Sequence, residues 1–159
     1  MRKLLVIALL VLLLLISCSE KTISDSRFVL GTLCYIELHG TDDDEILQGA
    51  FSLLYDIDSR ISRYDEGSYI AKINSNAGIS PVAVPDDIYN LIKRTLEFAE
   101  DTEGIFNPAI GPLSALWGIG TESQHLPSEE EILAVLPLLD WRNITLDDEA
   151  MTVYLHIPG

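Results

Sequence analysis

Cysteine and positive charge are both scarce in this chain. It holds two cysteines, Cys18 and Cys34, and ten Lys plus Arg against 25 Asp plus Glu, for a formal net charge of −15. The shortage of basic residues excludes a nucleic-acid role, because neutralising phosphates requires a basic patch that this sequence lacks. Histidine is equally sparse: His39, His125 and His156 lie far apart and belong to no spaced zinc motif. There is no nucleophile elbow, no P-loop, no dinucleotide fingerprint, no internal repeat and no low-complexity stretch. The long apolar run, Leu4 to Ile16, falls short of the roughly 20 residues a permanent bilayer-spanning helix needs.

That run has a different meaning. Arg2 and Lys3 precede it, and Ser17-Cys18 closes it, which is the pattern of a lipoprotein signal peptide over residues 1–17. Cleavage before Cys18 leaves that residue as the acylated first position of the mature chain. The protein is then expected outside the cytoplasm, lipid-anchored to a bacterial membrane on the periplasmic side of the inner membrane. Loss of Arg2 and Lys3 with the signal makes the mature chain more acidic still. With Cys18 committed to lipid, Cys34 has no intrachain disulfide partner, and its apolar surroundings predict a buried small side chain.

Residues 18–26 read as a polar tether and residues 27–159 as one domain. Phe28, Val29, Leu33, Tyr35, Ile36 and Leu38 predict a strand with a bend at Gly31. Asp42 to Glu45 then open a helix whose apolar face steps through Ile46, Leu47, Ala50, Leu53, Leu54, Ile57 and Ile61. The acidic cluster lacks the alternation of a calcium loop, and Asp56 and Asp58 point to different helix faces rather than forming a metal pair. Ser68 is placed to cap a short helix, Pro81 to Val84 form a short strand or edge, and a second amphipathic helix runs from Asp86 to a stop at Gly104. Beyond it, Gly104 and Pro108 present Phe106 and Asn107 on a turn between two helices. Ser128 and Glu131 form a capping box, and residues 143–156 read as a β-hairpin around Asp147-Asp148-Glu149-Ala150. Strands and helices in no strict alternation predict an α+β domain.

Three local patterns, in this order and spacing, carry more. The first is Arg27-Phe28-Val29-Leu30-Gly31-Thr32. The second is Ile61-Ser62-Arg63-Tyr64 followed by Ser68, Ile70, Ile73 and Asn74. The third is Gly104-Ile105-Phe106-Asn107-Pro108 with Gly111-Pro112-Leu113 and Leu116-Trp117-Gly118. Together they resemble the N-terminal part of the ApbE family, the FAD:protein FMN transferases, a family to which the lipoprotein signal also fits.

The resemblance implies a T-fold-like α+β domain, with mixed helices packed on antiparallel sheet, cut short at its C-terminal end. It implies FAD as substrate and Mg2+ as cofactor, with FMN passed to a Thr or Ser hydroxyl of an acceptor protein and AMP released. The acceptor it implies is a subunit of a membrane redox complex. Carried over position by position, Leu30 stands where the family has a methionine beside the flavin, Tyr64 matches an aromatic of the flavin pocket, and Ile105, Phe106 and Asn107 match a cofactor-holding segment. Asn107 stands where the family usually has aspartate, losing a charge while keeping an acceptor and gaining donors.

A glycine-rich Asp-Leu-Gly-Gly-like segment with Ala-Lys-Gly, and the later Asp and Thr that bind magnesium, would lie beyond Gly159. No catalytic residue and no magnesium ligand is therefore assigned. Three alternatives stay open: an FAD pyrophosphatase passing FMN to water, a flavin-binding lipoprotein without turnover, and a remnant that does not fold. The transferase reading expects magnesium-dependent turnover of FAD to depend on the segment beyond Gly159.

Overall fold

The structure, a computed structural model, describes residues 20–158. The signal peptide read over residues 1–17 and Cys18, the position expected to carry lipid, lie outside the described residues. The chain divides into two units, Met1–Asp58 and Ser59–Gly159.

The first unit is built on a β-hairpin. Strands β1 (Thr22–Val29) and β2 (Thr32–His39) pair antiparallel without a break, from Thr22 opposite His39 to Val29 opposite Thr32. This corrects two sequence expectations. Residues 22–26 are strand rather than tether, and the single strand bent at Gly31 is two strands joined by a tight turn. The first correction has a simple cause: Ile23, Asp25, Arg27 and Val29 point to the more buried face and Thr22, Ser24, Ser26 and Phe28 outward. That two-residue alternation is what a half-solvated antiparallel strand needs, even where its outward residues are polar.

The turn itself is Leu30-Gly31, with φ of 55° and 71° respectively. Positive φ at both central residues is the signature of a type I′ turn, whose twist matches that of the flanking strands. Glycine takes this conformation freely, whereas leucine pays about 1–2 kcal/mol for it.

Helix α1 (Asp44–Ile61) follows, with Asp44 and Glu45 in its first turn as the sequence predicts. Within the first unit its buried face carries Leu47 and Phe51. The Arg27 guanidinium sits 4.4 Å from the centre of the Phe51 ring, and Arg27 Nε donates to Asp25 Oδ2 at 2.9 Å. Its Nη2 donates to Gln48 Oε1, so one arginine ties strand to helix through ring, carboxylate and amide. Cys34 is only half-buried, with Sγ 3.6 Å from the Val29 carbonyl oxygen.

The second unit has a core of Ile73, Val84, Ile88, Tyr89 and Val153. Helix α2 (Tyr69–Ser75) begins at the predicted cap: Ser68 is buried, accepts from the Ala71 amide at 3.0 Å and donates its hydroxyl to the Ser62 carbonyl. Strand β3 (Val82–Ala83) is the predicted short edge strand. Helix α3 (Asp86–Asp101) contributes Ile88, Tyr89 and Ala99 to the interior. Helices α4 (Gly111–Trp117) and α5 (Glu129–Val135) follow, the latter opened by the predicted Ser128–Glu131 capping box.

The predicted C-terminal hairpin forms from β4 (Ile144–Asp147) and β5 (Thr152–Leu155). It joins β3 in an antiparallel sheet of order β3-β5-β4, with Val153 paired to Val82 on one side and Leu146 on the other. The β4–β5 turn is fastened to α3: Tyr89 Oη donates to Asp148 Oδ1 at 3.0 Å and Lys93 Nζ to the same oxygen at 2.6 Å. Helices combined with antiparallel sheets make this an α+β protein. Among the described residues no helix is long and apolar enough to cross a membrane.

Candidate functional site

The end of α3 shows how the chain builds an exposed turn. The helix is capped at Thr102, after which Glu103 and Gly104 both take positive φ, 53° and 83°. The Gly104 amide then folds back onto the Ala99 carbonyl at 2.7 Å. Its φ favours glycine at 104, and a Cβ there would also crowd Trp141 Nε1 at 3.3 Å.

Thr102 does more than end the helix. Its hydroxyl donates to the Phe98 carbonyl at 2.8 Å and accepts from the Phe106 amide at 3.1 Å. The same segment brings the Phe106 ring edge-on to Phe98, with centroids 5.2 Å apart at 65°. Phe106 nonetheless stays 39% exposed and Ile105 is 92% exposed. An aromatic propped from behind and open in front can receive a planar ligand.

Asn107 uses both ends of its amide. Oδ1 accepts from the Ala109 amide at 2.8 Å, closing the turn through Pro108, and Nδ2 donates to the Leu139 carbonyl at 2.7 Å. Leu139 ends a 3-10 helix, Leu136–Leu139, and Asp140 caps a second one, Trp141–Asn143. Between these pieces lies an open cleft of about 300 Å³, lined by Gly104, Asn107, Leu139, Trp141 and Arg142 among others. The Arg142 guanidinium lies 5.0 Å from the Trp141 ring centre and donates to Asp140 at 3.1 Å. The cleft thus offers an indole, a guanidinium and a side-chain amide.

Tyr64 lies in the same unit, 77% exposed, with the Arg63 guanidinium 4.6 Å from its ring centre and hydrogen bonded to its hydroxyl. Leu30 belongs to the first unit, 40% exposed at the tip of the β1–β2 hairpin, where its amide donates to Asp58 Oδ2 at 3.1 Å. Ile105, Phe106 and Asn107 therefore share one turn, and Asn107 alone of the sequence-predicted residues lines the cleft. Thr102 and Trp141 escaped the sequence reading, and Asp58 enters it only as no half of a metal pair, without its contact to Leu30. The first could have been found as a hydroxyl one turn beyond Phe98; the other two act across tertiary contacts that no local pattern announces.

Among the described residues no group of three or more His, Cys, Asp or Glu side chains converges to hold a metal ion. Among the described residues, no carboxylate cluster of that size is available to hold magnesium. Electrostatic pairing occurs elsewhere, at Asp148, whose carboxyl is held below its ordinary value chiefly by the hydrogen bond from Lys93 and then by that from Tyr89.

Comparison with known proteins agrees with this architecture. A Treponema pallidum protein named FAD:protein FMN transferase is 32% identical over 127 residues, covering 77% of this chain and 35% of that relative. A Vibrio cholerae protein of the same name is 29% identical, covering 92% and 46% respectively. The crystal structure of the ApbE protein from Thermotoga maritima superposes with a TM-score of 0.77 at 31% identity, over 85% of this chain and 45% of that one. The flavin transferase ApbE from Vibrio cholerae gives a TM-score of 0.75 at 25% identity, over 87% and 46%. The chain thus spans less than half the length of the relatives it matches. Since the profile of the ApbE family also matches residues 30–158, the hairpin tip, the Tyr64 turn and the Phe106–Asn107 segment all fall inside the match, and the chain belongs to the ApbE family.

Proposed function

We propose that this chain is part of an FAD:protein FMN transferase and supplies its flavin-contacting segments. The observation that carries the reading is the Phe106–Asn107 turn, an exposed aromatic braced by Phe98 and Thr102 inside the region matched by the family. In this reading Phe106 and Tyr64 offer ring surface to the isoalloxazine, and Ile105 and Asn107 fix the segment that faces the cofactor; Leu30, taken by itself in the first unit, is carried over as an apolar flavin contact. The reaction is transfer of FMN from FAD to a Thr or Ser hydroxyl of an acceptor protein, with AMP as leaving group. An acceptor in a membrane redox complex fits a donor tethered by lipid at Cys18 on the periplasmic face of the inner membrane.

Magnesium would offset charge on the phosphate oxygens in such a transfer. The described residues include no cluster of three or more candidate ligands, and we assign its ligands to the part of the family's length that this chain does not span. The test is to titrate the full chain with FAD, following flavin fluorescence, and to assay the same samples for AMP and FMN with and without Mg2+. The reading expects saturable quenching. AMP release with FMN on an acceptor supports transfer, AMP with free FMN supports a pyrophosphatase, and quenching without either fits a transferase part whose magnesium ligands lie outside it as well as a flavin-binding lipoprotein; a chain extended to the relatives' full length then releases AMP only in the first case. No quenching at all contradicts the flavin reading.

A further inference from the structure

The Leu30–Gly31 turn must be held in a backbone conformation that leucine resists, and the group that holds it comes from 28 residues away. The Leu30 N–H donates to Asp58 Oδ2 at 3.1 Å. The helix itself does not favour an aspartate at position 58. It lies near the C-terminal end of α1, where a carboxylate opposes the helix dipole, and aspartate is a poor helix former. Its position makes sense through the turn it reaches. Val29 is buried and Leu30 is 40% exposed, so within one residue the chain passes from the interior to the surface. A pin on the Leu30 amide sets the direction in which that residue emerges.

We infer that Asp58 is a positioning residue for the flavin contact made at Leu30. Its carboxylate fixes the type I′ geometry, so that the apolar side chain is already in place when the flavin arrives and no ordering of the turn is charged against binding. The inference rests on the reading of Leu30 as a flavin contact given above.

The experiment compares the full chain with Asp58→Ala and Asp58→Asn in three readouts: hydrogen exchange at the Leu30 amide, affinity for FAD by fluorescence, and the visible absorption spectrum of the bound flavin. In Asp58→Ala the Leu30 amide is expected to exchange about tenfold faster and FAD to bind about tenfold more weakly, with an altered flavin spectrum. Asp58→Asn keeps an oxygen acceptor and is expected to rescue all three. Faster exchange with unchanged affinity and spectrum would make Asp58 a purely structural pin and overturn the proposal while leaving the flavin reading intact. A wild-type chain that binds no FAD would instead remove the flavin reading, and the positioning role with it. Should Asp58→Ala not fold, an unprotected Leu30 amide in the wild type is enough to overturn the proposal.

Discussion

Leu30 and Asp58 are joined by a hydrogen bond from the Leu30 amide to Asp58 Oδ2, 3.1 Å long, closing a turn in which a leucine holds a φ of 55°. The sequence offers Leu-Gly where turn chemistry favours Asn-Gly. A residue kept against its backbone preference at an exposed tip points to use of its side chain.

Replacing Leu30 by Asn should separate the two roles. Asn-Gly suits the type I′ turn, so the variant should gain about 1 kcal/mol of stability in urea unfolding. It should also bind FAD more weakly, because the apolar contact is gone. A variant that is more stable and binds equally well would show that Leu30 does not touch the flavin.

At Asn107 the expected cost is structural. An aspartate at this position keeps the acceptor for the Ala109 amide but has no N–H for the Leu139 carbonyl. Asn107→Asp should lose about 1–3 kcal/mol by chemical denaturation, the penalty for facing an acceptor with an unpaired partner. Unchanged stability would mean that the Leu139 contact carries no weight.

The Asp148 pairing predicts a pH dependence with a definite sign. Its folded carboxyl is held below the ordinary value of 3.8, first by Lys93 and then by Tyr89. A depressed folded value contributes stability that is present above pH 3.8 and lost as pH falls through the folded value. Asp148→Asn should therefore be less stable than wild type at pH 7, with the gap narrowing as the pH falls below 3.8 and through the lowered folded value. A constant gap would assign the effect to hydrogen bonding alone.

Membrane attachment is tested at Cys18. Cys18→Ser should abolish acylation, seen as loss of the lipid mass, and move the protein out of the membrane fraction. Retention in the membrane without lipid would contradict the tether.

The helices were legible because several local signals agreed. The apolar steps of α1, the Ser68 cap and the Ser128–Glu131 box each define a boundary by themselves. The first half of β1 was not legible, since Thr22, Ser24, Asp25 and Ser26 read as tether until His39, Glu37, Ile36 and Tyr35 are placed opposite them, whereas Phe28 and Val29 were read as strand. The Leu30–Gly31 turn was hidden for a related reason: leucine is not a turn residue, and the Asp58 contact that supports it exists only after folding. In the candidate site, Gly104 and Pro108 announced the turn that carries Phe106. The brace behind it, Thr102, and the indole beside Gly104, Trp141, depend on hydrogen bonds and close approaches that composition does not encode.

The central claim is that the Phe106 turn faces a flavin. The most direct measurement is FAD titration of the full chain beside Phe106→Ala, with a thermal melt of each. The account predicts saturable quenching in the wild type and about tenfold weaker binding in the variant, as befits loss of an aromatic–ring contact. It predicts a modest fall in melting temperature from loss of the Phe98–Phe106 ring contact, with the folding transition retained. Equal affinity in the two proteins, or no quenching in either, would contradict it.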